Sequence, residues 1–371
     1  MNTSRNLNKS ENKLIGLELV RFISALAILI WHYQHFFFIK DSPINFTREL
    51  QPFYSIFEIF YNYGLFGVRI FWCVSGFIFF WKYKDLIAEK RISGREFFLL
   101  RFSRLYPLHF ITLLIVASLQ ILYFKINGVF FVYQFNDFYH FFLQIFFISD
   151  WGFGSGFSFN GVIWSISIEV LIYLIFFISL KYIVKSRSLK THFLIIILSL
   201  VIFYTENIQN ILNYSLVVDC LCLFYAGGIA AIFYKRFKHN KNIIILSLIF
   251  FSVIPFMINL FDIYKMERWL TVFLLFYTPL GLFLFAHIKI KDTRIKSFLK
   301  ILGNLTYSSY LIHIPLQLII VLILSNQNIK IPIYNAYFLI FYLISILLLS
   351  RITFCYFEKP IQDKIRKIFL S

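Results

Sequence analysis

Charge is scarce in this chain. Only 15% of its 371 residues are Asp, Glu, Lys or Arg, well below the quarter found in soluble domains. With 60% hydrophobic and 21% aromatic residues, that shortage excludes an ordinary soluble fold and assigns the chain to a bilayer. Acids are scarcer still, 18 against 36 Lys and Arg. The resulting net charge of +18 does not describe a nucleic-acid binder, because the basic residues fall in short clusters between apolar runs and form no single patch. Cysteine is rare as well. Cys73, Cys220, Cys222 and Cys355 all lie in apolar runs, where a thiol behaves as a small hydrophobe. The Cys-x-Cys pair has no nearby His or further Cys to complete a metal site. Neither a disulfide framework nor a metal centre is expected. Internal repeats, low-complexity tracts and an appended soluble domain are also missing.

What the chain does contain is a series of apolar windows of roughly twenty residues. They fall at about 14–39, 53–81, 105–124, 161–180, 191–205, 211–234, 243–261, 269–288, 301–325 and 333–354. The prediction is an all-α membrane protein of about ten transmembrane helices, one domain over residues 1–371. Arg5, Lys9 and Lys13 precede an apolar run containing Ala25-Leu26-Ala27, which raises the question of a signal peptide. The run continues to Ile39, long enough to span, so a retained first helix is expected.

The basic residues set the orientation. Segments 1–13, 82–104, 181–190, 235–241, 289–300 and 359–367 hold 27 Lys and Arg, against 6 in the intervening connections. Both termini are therefore predicted on the cytoplasmic side. Two connections are long. The basic inner one, about 82–104, reads as an interfacial helix. The aromatic outer one, about 125–160, ends in the glycine-rich SDWGFGSGFSFNG, a turn region.

Polar residues inside the windows carry the chemistry. The stretch VRFISALAILIWHYQ places Arg21 and His32 eleven residues apart, which is about three full turns. Both share one helix face, separated by roughly 16 Å. Glu18 lies on the same stripe, three residues before Arg21 and suited to pair with it. Charged groups in a bilayer cost several kcal/mol and usually mark a site, so three polar residues on one face favour function over a simple helix contact. RFSRLYPLHF brings Arg101 and Arg104 just ahead of the third window, with Pro107 in the first turn of the helix that follows. Two guanidiniums three residues apart suit a phosphate clamp, although positive-inside anchoring is the simpler account of the pair taken alone.

WSISIEV enters the fourth window with Trp164, Ser165, Ser167 and Glu169. The tryptophan fits an interfacial belt, but an acid so far into a span needs a partner or a task. LGNLTYSSYLIHIPL sets Tyr310 and His313 on one face of the ninth window, for an interhelical hydrogen bond or for the site. Asp219, in the sixth window, is a buried acid without an assigned role.

Taken in order, the R-x10-H of Arg21 and His32, GVRIFWCVSGF at 67–77, RFSRLYP, WSISIE, GNLTYSSYLIHIPL and FEKP at 357–360 resemble acyltransferase family 3. These are integral-membrane acyltransferases that O-acetylate lipopolysaccharide O-antigens and other envelope glycans. The resemblance implies that His32 and Arg21 form the defining pair, with Glu18 as the upstream acid. It implies that Arg101 and Arg104 bind a cytosolic acyl-CoA donor. It further implies roles for Trp164, Ser165, Ser167, Glu169 and His313, with Tyr310 beside them. Arg69 stands where many members carry an acid, and Val170 where many carry a second glutamate, which bears on the acceptor.

The expected reaction moves an acetyl group from acetyl-CoA to a hydroxyl of an envelope glycan or lipid-linked oligosaccharide, in a bacterial inner membrane. No tightly bound cofactor is expected. His32 serves either as general base or as a covalent acyl carrier. A polysaccharide exporter or proton-coupled transporter is the rival reading. It has no use for a phosphate clamp on one side and a histidine on the other.

Overall fold

The computed structural model describes residues 14–40, 42–43, 46–183, 215–260, 267–327 and 329–370. Helix dominates. In chain order the helices are α1 Ile15–His32, α2 Tyr54–Tyr63, α3 Phe66–Lys82, α4 Lys84–Ala88, α5 Gly94–Asn127, α6 Phe138–Ile145, α7 Ile163–Ile178 and α8 Ser215–Phe237. They continue with α9 Lys241–Leu260, α10 Glu267–Ala286, α11 Thr293–Asn326, α12 Ala336–Thr353 and α13 Lys359–Phe369. The strands among the described residues are two-residue pieces, Phe38–Ile39 paired antiparallel with Ser42–Pro43. The protein is an all-α membrane protein.

Six helical runs among the described residues are long and apolar enough to cross a bilayer. They coincide with the first, third, fourth, sixth, ninth and tenth predicted windows. The second window is a broken helix pair, α2 and α3, bent by 66°. Counted as one span, it raises the number to seven. The seventh and eighth windows are α9 and α10, whose apolar stretches, Lys241–Pro255 and Phe273–Ala286, are shorter. The fifth window, 191–205, lies outside the described residues.

Two sequence expectations need correction. The helix of the third window, α5, begins at Gly94, not near residue 105, so Arg101 and Arg104 sit within its second and third turns. Pro107 accordingly lies inside the helix and not in its first turn. A membrane helix tolerates such a proline where neighbours supply replacement bonds. Beside it the Tyr307 hydroxyl ties α5 to α11 by donating to the Leu105 carbonyl at 2.5 Å, while the carbonyl that Pro107 leaves without its helical donor is that of Ser103. The interfacial helix expected over 82–104 shrinks to the five residues of α4. The apolar Phe97–Leu100 segment instead joins the helix that continues into the membrane.

The chain divides into two compact units. The first comprises Met1–Arg21, Val68–Gly94 and Glu169–Gly303. Its α3 and α8 cross at two glycines. A Cβ on Gly76 would fall 1.8 Å from the Phe224 carbonyl oxygen, and one on Gly227 would fall 1.9 Å from that of Cys73. Small residues let membrane helices approach this closely, where van der Waals contact drives association. An aromatic cluster fills the space beside the crossing, with Phe79 stacked on Tyr173 at 4.2 Å and flanked by Phe176 and Phe224.

The second unit comprises Phe22–Gly67, Arg95–Ile168 and Asn304–Ser371. Its core gathers Leu29, Ile30, Tyr33, Tyr61, Tyr123, Leu318, Tyr342 and Ile346 from α1 and the 3-10 turn that follows it, α2, α5, α11 and α12. Two of its buried tyrosine hydroxyls find carbonyl partners. Tyr33 finds the Ile333 carbonyl at 2.7 Å, and Tyr61 that of Pro52 at 3.0 Å. The loop after α5 is pinned by Gln120, whose amide bonds both the N–H and the carbonyl of Phe131 at 2.9 Å. The Asp137 carboxylate then caps α6 by accepting from the His140 N–H at 2.9 Å.

Candidate functional site

The second unit brings His32 and His313 together. His32 ends α1 and His313 lies in the middle of α11, both fully or almost fully buried. Their rings stack at 4.8 Å between centroids, and His313 Nε2 lies 3.1 Å from His32 Nδ1. The partners around them settle the proton positions. His313 Nδ1 is 3.2 Å from the Ser309 carbonyl, and a carbonyl only accepts. The proton of neutral His313 is therefore on Nδ1, and its Nε2 accepts. His32 must then donate through Nδ1. The lone pair of neutral His32 is thus on Nε2, which has no hydrogen-bond partner among the described residues. An orienting partner that fixes a histidine tautomer leaves the other nitrogen ready to take a proton.

Two residues that sequence reasoning passed over complete this cluster. Gln317, fully buried on α11, donates its amide to the His32 carbonyl at 2.8 Å. That bond fixes the amide orientation, so its oxygen accepts from His35 Nδ1 at 3.3 Å. The His35 ring is 4.8 Å from that of His32, and Trp31 meets His32 edge-on at 4.9 Å. The signal was present in the spacing. Gln317 is four residues after His313, and His35 three after His32, so each shares a helical face with a predicted site residue.

The WSISIE residues divide by role. The Ser165 hydroxyl lies 2.7 Å from that of Tyr310, and both reach the Val162 carbonyl, at 3.2 and 3.0 Å. Tyr310 in turn lies beside His313, 5.9 Å between ring centroids. The next residues out support the same helix: Asn160 donates to the Leu311 carbonyl at 3.0 Å, and Trp164 packs on Phe157 at 5.9 Å. Ser167 anchors the glycine-rich turn. Its hydroxyl donates to the Phe147 carbonyl at 2.8 Å and accepts the Asp150 N–H at 3.2 Å, while its carbonyl takes the Trp151 indole N–H at 2.8 Å. Burial there pushes the Asp150 carboxyl up to about 6, opposed by a hydrogen bond from the Ser149 hydroxyl.

Arg101 and Arg104 also belong to this unit, both half-buried on α5. Glu18, Arg21 and Glu169 belong to the other. There Glu18 accepts from Arg21 at 2.9 Å, three residues on, as the stripe predicted. Gly303 of α11 permits the approach, since a Cβ on it would fall 1.9 Å from Glu18 Oε2. Glu169 is half-buried on α7. The unexplained acid of the sixth window has a partner. Arg69 donates through Nε and Nη2 to one oxygen of Asp219, at 3.1 and 2.9 Å.

A family model described as an acyltransferase domain matches residues 14–351, nearly the whole chain. No curated protein and no solved structure matches.

Proposed function

The chain belongs to acyltransferase family 3, and from that premise we propose that it moves an acetyl group from cytosolic acetyl-CoA to a hydroxyl of a cell-envelope glycan. The observation that carries the proposal is the directed histidine pair, with a buried His32 whose Nδ1 is held by His313 and whose Nε2 lone pair is left over. The acceptor hydroxyl gives its proton to His32 Nε2 as its oxygen attacks the thioester carbonyl. The new C–O bond forms, the C–S bond breaks, and the imidazolium returns the proton to the departing CoA sulfur. His313 accepts throughout from Nδ1, so the charge on His32 is shared with a fixed partner. Arg101 and Arg104 bind the CoA phosphates through forked contacts. Arg21, on the face of α1 that leads to His32, lines the course of the donor.

The working molecule on this reading is a single domain of about ten spans in a bacterial inner membrane, with both termini cytoplasmic. The acceptor is O-antigen or another surface polysaccharide, reached from outside. The 27-to-6 distribution of basic residues supports the orientation. A cysteine placed at residue 156 and labelled only from the cytosolic side would reverse it. The function itself is tested by the acetyl content of surface glycan from cells with and without the gene. Gene-dependent acetyl groups are expected. Glycan absent from the surface but unchanged in acetylation would favour the exporter.

A further inference from the structure

None of the sequence motifs contains His35. It lies one turn past His32, in the short 3-10 turn Tyr33–Phe37, and both histidines are 3% exposed. The two engage α11 in the same way. His32 donates through Nδ1 to His313, and His35 donates through Nδ1 to the Gln317 oxygen at 3.3 Å. His313 and Gln317 are four residues apart, so both acceptors stand on one face of α11. Gln317 ties the two contacts together by donating to the His32 carbonyl at 2.8 Å. Phe38 and Tyr133 brace the His35 ring edge-on, at 5.2 and 5.9 Å between centroids.

A neutral imidazole that donates through Nδ1 keeps its lone pair on Nε2. His32 and His35 therefore carry two accepting nitrogens on neighbouring rings, 4.8 Å apart. Neither Nε2 has a hydrogen-bond partner among the described residues. Neither is among the unpartnered polar atoms sealed within the protein, as His109 Nδ1 is. Two lone pairs are met together by a molecule with two donors. An anion or a carbonyl brings only lone pairs of its own, whereas each hydroxyl of a sugar ring can donate.

Resting on the acetyl-transfer reading above, we propose that His35 binds the glycan substrate, its Nε2 taking a hydrogen bond from one hydroxyl of a sugar ring while His32 takes the proton of another. The substrate class is then a ring with at least two hydroxyls within reach of one another, and a single alcohol is a poor substitute. The contact to His35 aims the reacting oxygen, which is where a positioning bond contributes to rate.

The test supplies acetyl-CoA and one of two soluble probes, cis-1,2-cyclohexanediol or cyclohexanol, to membranes holding equal amounts of wild type, His35→Phe or His35→Gln. The acetate ester is measured. Phe keeps the ring packing without either nitrogen, while Gln can donate to Gln317 and still offer an oxygen. The wild type should acetylate the diol about tenfold faster than cyclohexanol, in keeping with one hydrogen bond. His35→Phe should lose that preference by slowing on the diol alone, and His35→Gln should keep part of it. A wild type without the preference, or a His35→Phe variant that keeps it, would overturn the proposal. Equal slowing of both variants on both probes would overturn it too and make His35 a brace for His32. Wild-type membranes that acetylate neither probe, from cells whose surface glycan does carry gene-dependent acetyl groups, would overturn the reading of a hydroxyl pair. Absence of those acetyl groups as well would overturn the acetyl-transfer reading, and the role of His35 with it.

Discussion

The two units bury their polar groups in opposite ways. In the first, charge meets charge: Arg69 grips Asp219, and Arg21 grips Glu18. In the second, Ser309, His313 and His32 form a directed chain of hydrogen bonds between uncharged groups that ends in a lone pair on His32 Nε2. An ion pair in an apolar setting satisfies its members mutually, and its attraction is largely consumed by desolvation. A directed chain is satisfied at every link but the last. The difference teaches where to look for chemistry in such a protein. On the proposed mechanism the cluster with a free lone pair is the reactive one, although the paired charges attract attention first.

Breaking each cluster sharpens the contrast. The largest effect on stability is expected in the first unit. Arg69→Met leaves a buried carboxylate without this partner and should cost about 3–5 kcal/mol, measured as thermal unfolding in detergent. Adding Asp219→Leu should recover most of that loss. A double variant no better than the single one would show that Asp219 does more than answer Arg69.

In the second unit the damage should fall on turnover instead. His313→Leu removes the acceptor that fixes the His32 tautomer and should slow acetyl transfer about 10²-fold, with the donor KM unchanged. His313→Gln, whose side-chain oxygen can accept the same proton, should retain part of the rate. Equal loss in both variants would argue against the tautomer account.

A smaller effect tests the turn that Ser167 anchors. Asp150 is held near 6 when folded, against an ordinary value of 3.8. The folded protein therefore binds more protons between those values, and its stability falls as pH rises through that window. Asp150→Asn should remove that fall and stabilise the protein above pH 6 by about 3 kcal/mol. It should change little below pH 4. Parallel stability curves for the two proteins would contradict the assignment.

Much of this was legible in the sequence, and the limits have physical causes. Apolar length identified most spans, and charge scarcity fixed the class. The three-residue intervals that pair Glu18 with Arg21 and set Tyr310 beside His313 follow from helical geometry alone. Contacts across 150 or 281 residues, Arg69 to Asp219 and His32 to His313, have no local signature. Arg69 therefore read as a departure from the family pattern and Asp219 as an orphan, when each accounts for the other. Gln317 and His35 were overlooked because a single polar residue in an apolar helix reads as a satisfied core contact. The start of α5 was misplaced because Arg95, Arg101 and Arg104 resemble a basic connection, while Phe97–Leu100 was already apolar enough to continue the helix.

The central claim is that His32 performs the proton transfer and has no part in holding the fold together. Acetyl content of the surface glycan, read by NMR from cells expressing wild type or His32→Ala at equal membrane levels, tests it most directly. The expected result is a folded variant at normal abundance with no gene-dependent acetyl groups. Acetylation at the wild-type level in that variant would remove His32 from the reaction and contradict the account.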